Sequence, residues 1–596
     1  MLLEHLDQRC GATADVVPSA VVTGGSGEDV GNEGSDALSV TIAEVLCMLD
    51  GDFESVSRGV ASGEVALWLG SGISFGRLAG LSGLVADVVE FVRSHIDPAE
   101  PDDPFRLAFG RILDFADEEL VGDRQALVDL TVADWPKSKK IIAELCKSYS
   151  DVMDVRVAGE KTDFLLWDAA DVCARYADES VEPDVEHLCI AMLAAEGVLP
   201  EVVTANWDGL IEKACEQLTG EETSMRVCVL KDDLRGAAVR TMLYKIHGCA
   251  VLAALDPTVY REHLIVRASQ ILRWAGAGDH SAVRKRIVGI ATSRPTLMIG
   301  LSAQDYNIQA VFTEATDDMN WPWPSSARAH VFAEDKLGPA QLSVLKCVYP
   351  EAYEQSGPEI EGQSLLRSYG SALLMALLLD VLARKLQVLV SACQMPNPVD
   401  DHRELTNGIV LLRDRAALAS ESDRREFVQS LPAAMSTMSG VFYGDAAGER
   451  YRPISPTPVN QLEAEPSLRV DGRSQAAVAL ALIGLGCRDD GWSANAPSAD
   501  GSIHLDNGRS TSKVFFVANA GVAMDIDNSA LVDLDSPDVI LVHSGSVPER
   551  LQRSPSARIG RKGRGSSRSV EMPKVLDGAG DLDAIRRRFG EEALLQ

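Results

Sequence analysis

Residues 63–74 read GEVALWLGSGIS, an apolar run that ends in Gly70-Ser71-Gly72-Ile73-Ser74. A short β-branched and aromatic run of this kind predicts a buried strand, and the two glycines after it predict a tight corner where the backbone can come close to a ligand. The corner lacks the Gly-Lys-Ser/Thr ending of a triphosphate-binding loop and the third glycine of a dinucleotide turn. Standing alone, it fits a plain turn better than a pyrophosphate cradle. If a helix follows, its positive end would face the same negative charge.

From about residue 40 to 395 the same pattern recurs, with short apolar runs alternating with helical periodicity. Such alternation predicts parallel strands joined by crossover helices, an α/β Rossmann-like sheet. Candidate strands are Val65–Leu69, Val202–Ala205, Arg226–Leu230, Met242–Ile246, Thr296–Ile299 and His330–Ala333. Between the first two lies a stretch rich in helix formers, roughly 85–197, with apolar spacing at Phe109, Ile112, Leu113 and Phe115. It predicts a helical layer inserted into the sheet's connections. Breaks at MPNPVDD (395–401) and RPISPTPVNQ (452–461) set off a separate C-terminal α+β region, 396–596, with a helix over Gln475–Leu485 and strands over Lys513–Ala518 and Asp538–His543. Residues 1–40 read as a mobile leader, because GGSGEDVGNEGSD (24–36) offers little apolar surface to offset ordering entropy.

Composition narrows the function. Among 596 residues, 46% are apolar, and 88 acidic against 56 basic side chains leave a net charge of -32. Such a chain can bury large cores and repels polyanions, so nucleic acid is not its default partner. The exception would be RLQRSPSARIGRKGRGSSR (550–568), with Arg553, Arg558, Arg561, Lys562, Arg564 and Arg568. No aromatic residue interleaves there to stack a base, so a solvated loop or a contact with an acidic neighbour is the plainer account. The 11 cysteines form no Cys-x-x-Cys pair, which points away from a four-thiolate zinc site and towards a reducing cytosol. The acids at Asp525, Asp527, Asp533 and Asp535 lack calcium-loop spacing. The most apolar stretch, Ala372–Leu379, is far too short for a bilayer and predicts a buried helix or a subunit contact.

Three more strand ends carry polar residues. In VVTANWDGLIEKACEQL (202–218) an extended run reaches Asn206 and Asp208 and then turns helical, which places Asp208 as a cap. LYKIHGCA (243–250) sets His247 and Gly248 directly after a strand. TLMIGLSAQDYNIQAVF (296–312) ends a strand at Gly300 and Ser302, with Asp305 opening the next helix. In a parallel sheet all of these would lie at one carboxyl edge, where such sheets bind ligands.

Together and in this order, the four segments resemble the sirtuin superfamily, whose strand ends carry Gly-Ala-Gly-x-Ser, Asn-x-Asp, His-Gly and Gly-x-Ser. LAGLSGLVADVVEF (78–91) and HLIVRASQILRW (263–274) further resemble bacterial sirtuin-like defence proteins, which are NAD hydrolases. The resemblance implies NAD as the substrate. Gly70, Ser71, Gly72 and Ser74 would hold its pyrophosphate, while Gly300, Ser302, Asp305 and Glu334, or its neighbour Asp335 (in SARAHVFAEDK, 326–336), would hold the adenosine side. Asn206 would orient water or ribose hydroxyls, His247 would act as base, and Asp208 would support the loop. It also implies a restrained effector that depletes NAD during phage infection, with homo-oligomers, a defence-system partner or a phage-derived trigger governing its release. No zinc is expected, because the four-cysteine module of sirtuin deacylases would fall where this chain has only Cys249. A protein deacylase and a non-catalytic NAD or ADP-ribose sensor are the alternatives.

Overall fold

A computed structural model describes residues 37–220, 224–274, 278–319, 321–445, 450–469, 471–495, 500–529, 536–545 and 568–595. Nearly all of the expected leader and residues 553–567 of the basic stretch lie outside these, as do Asp533, Asp535 and the side chain of Asp527.

Seven parallel strands form the first sheet: β1 (Ala66–Leu69), β2 (Glu201–Thr204), β3 (Met225–Cys228), β4 (Thr241–Lys245), β5 (Thr296–Ile299), β6 (His330–Ala333) and β7 (Leu365–Leu366), in the order β3-β4-β2-β1-β5-β6-β7. The expected α/β Rossmann-like class is what the chain adopts. β1 stands in the middle. From it the chain builds outward through β2 and beyond on one side, then crosses to add β5, β6 and β7 on the other. That reversal opens a crevice at the carboxyl ends of the central strands.

The four residues of β1, β2, β5 and β6 are all buried, as expected for strands covered on both faces. Alternate residues serve opposite cores. Leu67, Leu69, Val202, Leu297 and Ile299 pack against the helices Ile42–Asp50, Val185–Ala195 and Gly370–Ser391. Ala66, Trp68, Val203, Met298 and Phe332 pack against the helices Gly278–Ser293, Tyr306–Ala315 and Pro339–Val348. His330, fully buried, places Nδ1 2.9 Å from Thr296 Oγ1 on the neighbouring strand, while its Nε2 has no partner.

Between β1 and β2 the helices from Leu81–Ser94 to Val172–Tyr176 enclose a core of their own, around Val88, Phe109, Ile112 and Leu145. The helix Val185–Ala195, within the range expected for the insert, instead packs on the sheet. Ten of its eleven residues are buried, which matches a polar-poor sequence with no solvent face.

A second sheet, β12-β11-β10-β9-β8, occupies the C-terminal region: β8 (Ser493–Ala494), β9 (Ile503–Asp506), β10 (Thr511–Val517), β11 (Val539–His543) and β12 (Arg568–Glu571). It is mixed, with β10, β11 and β12 parallel and β8, β9 and β10 antiparallel. With the helix Arg473–Asp489 it forms a separate core. The expected stretch Ala372–Leu379 lies inside the buried helix Gly370–Ser391, which serves both cores. C-terminal residues also complete the first core, through Ala417, Val428, Leu431 and Tyr451.

A polar lock accompanies that packing. Lys385, wholly buried, donates to Glu196 Oε2 at 2.7 Å, to Glu196 O at 2.6 Å and to Ser455 O at 2.5 Å. Tyr451 donates its hydroxyl to the other Glu196 oxygen at 2.6 Å. Next to it, a Cβ on Gly197 would lie 2.0 Å from Pro456 O, so the loop around residues 451–458 presses directly on the segment leading into β2. No helix among the described residues is long and apolar enough to cross a membrane.

Candidate functional site

Strand register sets the site. Leu69 pairs with Thr204 on one side and Ile299 on the other, and Thr204 pairs with Lys245. The residues after these four therefore leave the sheet at one level, and they border a cleft of about 240 Å3. Its lining includes Gly70, Ser71, Gly72 and Ser74 after β1, Asn206 and Asp208 after β2, His247 after β4, and Gly300, Ser302 and Asp305 after β5. Four distant sequence segments thus meet at one edge. Glu334 is not among the lining residues: it follows β6, one strand further out, where burial raises its carboxyl pKa against a hydrogen bond from Gln341.

The glycines have a first task that the sequence reading did not anticipate. Gly72 N–H donates to Gly300 O at 3.1 Å, and Gly70 N–H donates to Ile299 O at 3.1 Å. A Cβ on Gly70 would lie 2.2 Å from Gly300 O, and one on Gly72 would lie 2.6 Å from Gly300 Cα. Gly300 itself has φ +60, a left-handed conformation that suits glycine. The two turns therefore mesh backbone to backbone and form the cleft floor. After the corner comes a short turn, Ser71–Ser74, and then the 14-residue helix Leu81–Ser94, whose first residues Gly80 and Leu81 also line the cleft. Gly80 gives that helix no side-chain cap, so its first amides are left for a ligand or water.

Asn206 donates Nδ2 to Gly70 O at 3.2 Å, which ties the β2 turn to the glycine corner. Asp208 accepts from Leu210 N–H at 3.2 Å through Oδ1, a turn contact two residues on; the N-cap of Leu210–Thr219 is Gly209, with no side-chain cap, so Asp208 stands one residue before the capping position expected for it. Its Oδ2 accepts from the Ser74 hydroxyl at 3.2 Å. Ser74 Oγ is in turn 3.1 Å from His187 Nε2. His187 Nδ1 accepts the Asp184 backbone N–H, so in the neutral ring Nε2 carries the proton and donates to Ser74. Ser74 must then pass its own hydrogen to Asp208. Burial lowers the His187 pKa against the pull of Asp208 and Asp184, which keeps the ring neutral as this chain of bonds requires. Asp184 also pairs with Arg77 at 2.7 Å and with Arg425 of the helix Arg424–Tyr443 at 3.7 Å.

Beneath the β2 turn, fully buried Lys245 hydrogen-bonds Asp208 O and pairs with Glu212 at 2.5 Å. Burial opposes its charge, but Cys249, Glu212 and Asp208 outweigh burial and raise its pKa.

His247 places Nε2 3.2 Å from Oδ1 of Asn307, a fully buried residue on the first turn of Tyr306–Ala315. With the amide in this orientation, Nε2 holds the proton and Nδ1 holds the basic lone pair. Asn307 Nδ2 has no partner, so the same amide, turned over, would donate to the ring. His247 O accepts from Trp207 Nε1 and from Ile265 N–H, each at 2.9 Å. Gly248 leaves the site with φ +89, and a Cβ there would lie 2.3 Å from His263 O. Asp305 precedes its helix as expected, but its carboxylate accepts from the Tyr149 hydroxyl and makes no cap. Burial and Asp305 both raise the Tyr149 pKa. Tyr176, pushed up to about 12 mainly by burial, stands edge-on to Trp207 at 5.5 Å and donates to Ala79 O at 3.1 Å.

His187, Asn307, Tyr149 and Tyr176 were not legible as site residues. Asn307 lies two residues after Asp305 and had a positional hint; His187 and the tyrosines have partners too far away in sequence to signal. Among the described residues, no group of three or more His, Cys, Asp and Glu side chains is placed to hold a metal ion.

No curated protein matches the chain. Residues 200–343 match the family model described as a SIR2-like domain. That span runs from β2 through β6 and takes in Asn206, Asp208, His247, Gly300, Ser302, Asp305 and Glu334, while the β1 corner lies before it. Over residues 200–343 the chain is therefore similar to SIR2-like domains.

Proposed function

We propose that the cleft hydrolyses NAD+ to nicotinamide and ADP-ribose, and that the protein is the NAD-depleting effector of an antiphage defence system, restrained until triggered. SIR2-like domains bind NAD, which gives the ligand class. The observation that carries the reading is the convergence of Asn206 and His247, from adjacent strands β2 and β4, on the cleft floored by the β1 and β5 glycines. The defence role rests on the resemblance to bacterial sirtuin-like proteins.

In this scheme the uncapped amides at Gly80 and Leu81 and the Gly70–Ser74 turn face the pyrophosphate, where a helix N-terminus favours negative charge. The bond between C1′ of the ribose and the nicotinamide nitrogen breaks, and its electron pair leaves with the ring. Water adds to C1′ and gives its proton to His247, with Asn206 positioning the ribose and the water. Asp208, aimed by Ser74, lies within the same lining and stabilises the positive charge that develops on the sugar.

The deacylase alternative would use the zinc module that the chain's single cysteine between His247 and Gly300 does not provide. Purified protein incubated with NAD+ should release free nicotinamide and ADP-ribose without any acyl-lysine peptide. Asn206→Ala and His247→Ala should each lower that turnover by about 10²- to 10⁴-fold. Full turnover in both variants would reject the mechanism. Tight NAD binding with no nicotinamide released would make the protein a sensor.

A further inference from the structure

A second cavity, of about 740 Å3, opens between the helical insert and the segment after His247. Its volume falls in the range of roughly 300–1,000 Å3 common for small-molecule sites. It shares one wall residue, Ile265, with the first cleft.

Its charge runs against that of the chain. The whole sequence carries -32, yet among the described residues five arginine and lysine side chains line this cavity against two carboxylates, Asp163 and Glu262. Two of the five are already engaged. Arg261 pairs with Asp163 at 2.6 Å and lies over the Trp167 ring at 4.3 Å. Arg267 bonds Gln270 and the Thr162 carbonyl and lies 4.0 Å from Asp154. The side chains of Arg156, Lys161 and Arg273 have no ion-pair or hydrogen-bond partner among the described residues. Elsewhere in the molecule, partly buried Arg77 and Arg175 and buried Arg413 have found carboxylates. Gathering three uncompensated cations around one hollow costs mutual repulsion, and 88 acidic residues were available to relieve it.

His263 and His280 both line the cavity, with Nδ1 of one 3.0 Å from Nε2 of the other, and the buried indole of Trp274 forms part of the wall. Cations and an aromatic wall are what a phosphorylated small molecule would meet.

We propose that this cavity binds a small molecule bearing a diphosphate. The surplus of three positive charges is matched most fully by inorganic pyrophosphate, while the diphosphate of ADP-ribose, with one negative charge on each phosphoryl group, adds a base and sugars that can meet the Trp274 wall. The diphosphate has two sources. It is either ADP-ribose, the product of the proposed reaction formed across the Ile265 wall, or a diphosphate made elsewhere, for which inorganic pyrophosphate is the probe. Only the first source rests on the NAD hydrolase reading; the site does not.

Calorimetric titration of the full chain with ADP-ribose and with pyrophosphate tests this, alongside the variant Arg156→Ala/Lys161→Ala/Arg273→Ala. All three positions are exposed, and a thermal melt checks that the variant folds. Wild type should bind at least one probe, and the triple variant should bind it at least tenfold more weakly. The wild-type affinity should also fall with added salt. Binding of neither probe by wild type, or equal affinity in the variant, overturns the proposal. NAD turnover measured on the same triple variant keeps the two readings apart, because a variant that loses probe binding yet still cleaves NAD leaves the hydrolase reading standing.

Discussion

A single methyl group is enough to probe the cleft floor. Gly300→Ala would place a Cβ 2.7 Å from Gly72 Cα at a residue with φ +60, so both contact and conformation oppose it. The expected cost is about 1–3 kcal/mol in chemical denaturation, together with weaker NAD binding. Ser74→Ala removes only a hydroxyl, but it strands His187 Nε2–H and Asp208 Oδ2 in a buried setting. Loss of about 1–3 kcal/mol is expected, with NAD turnover falling more than NAD affinity, because the carboxylate loses its aim rather than its presence. Equal turnover in Ser74→Ala and wild type would remove Ser74 from the machinery. At this scale the sequence showed which polar residues end the strands. It could not show that glycine serves glycine across the β1 and β5 turns, since that contact spans some 230 positions and leaves no local trace.

Strands and helices were legible in proportion to their periodicity. Thr296–Ile299 and His330–Ala333 stand where the β-branched and aromatic runs put them, and the other four expected strands of the first sheet differ by one or two residues at their ends. Two-residue β7 and β8 have too little pattern to read, β9 alternates over only four residues, and β12, Arg-Ser-Val-Glu, holds a single apolar residue. The helix Val185–Ala195 gave no sign of which layer it joins, because apolarity on every side fits any core. His330 ties element to stability. Burial lowers its pKa to about 4 from an ordinary 6.5, so between those values the unfolded chain binds the extra proton. Stability contributed by neutral His330 is therefore full above about pH 6.5 and is lost as pH falls through 4, on the order of 3 kcal/mol in all. In His330→Phe, the acid side of a plot of unfolding free energy against pH should flatten.

Across the whole molecule, the two cores are bolted together by Lys385, Glu196, Tyr451 and Ser455. Lys385→Met leaves the Glu196 carboxylate buried without its cation and should cost about 3–5 kcal/mol. Denaturant titration followed separately at each core would show both transitions moving together; a shift confined to one would mean that the bolt carries no load between them. The sequence breaks near 395 and 452 marked where composition changes, not where packing ends, since Val428, Leu431 and Tyr451 complete the first core. The meeting of Arg77 and Arg425 on Asp184 gives the C-terminal half an indirect reach into the chemistry. Asp184 steadies His187, His187 commands Ser74, and Ser74 tilts Asp208. A tug on the helix Arg424–Tyr443 would therefore arrive as a rotated carboxylate, so the proposed hydrolysis could be silenced by misalignment while its doorway stays open.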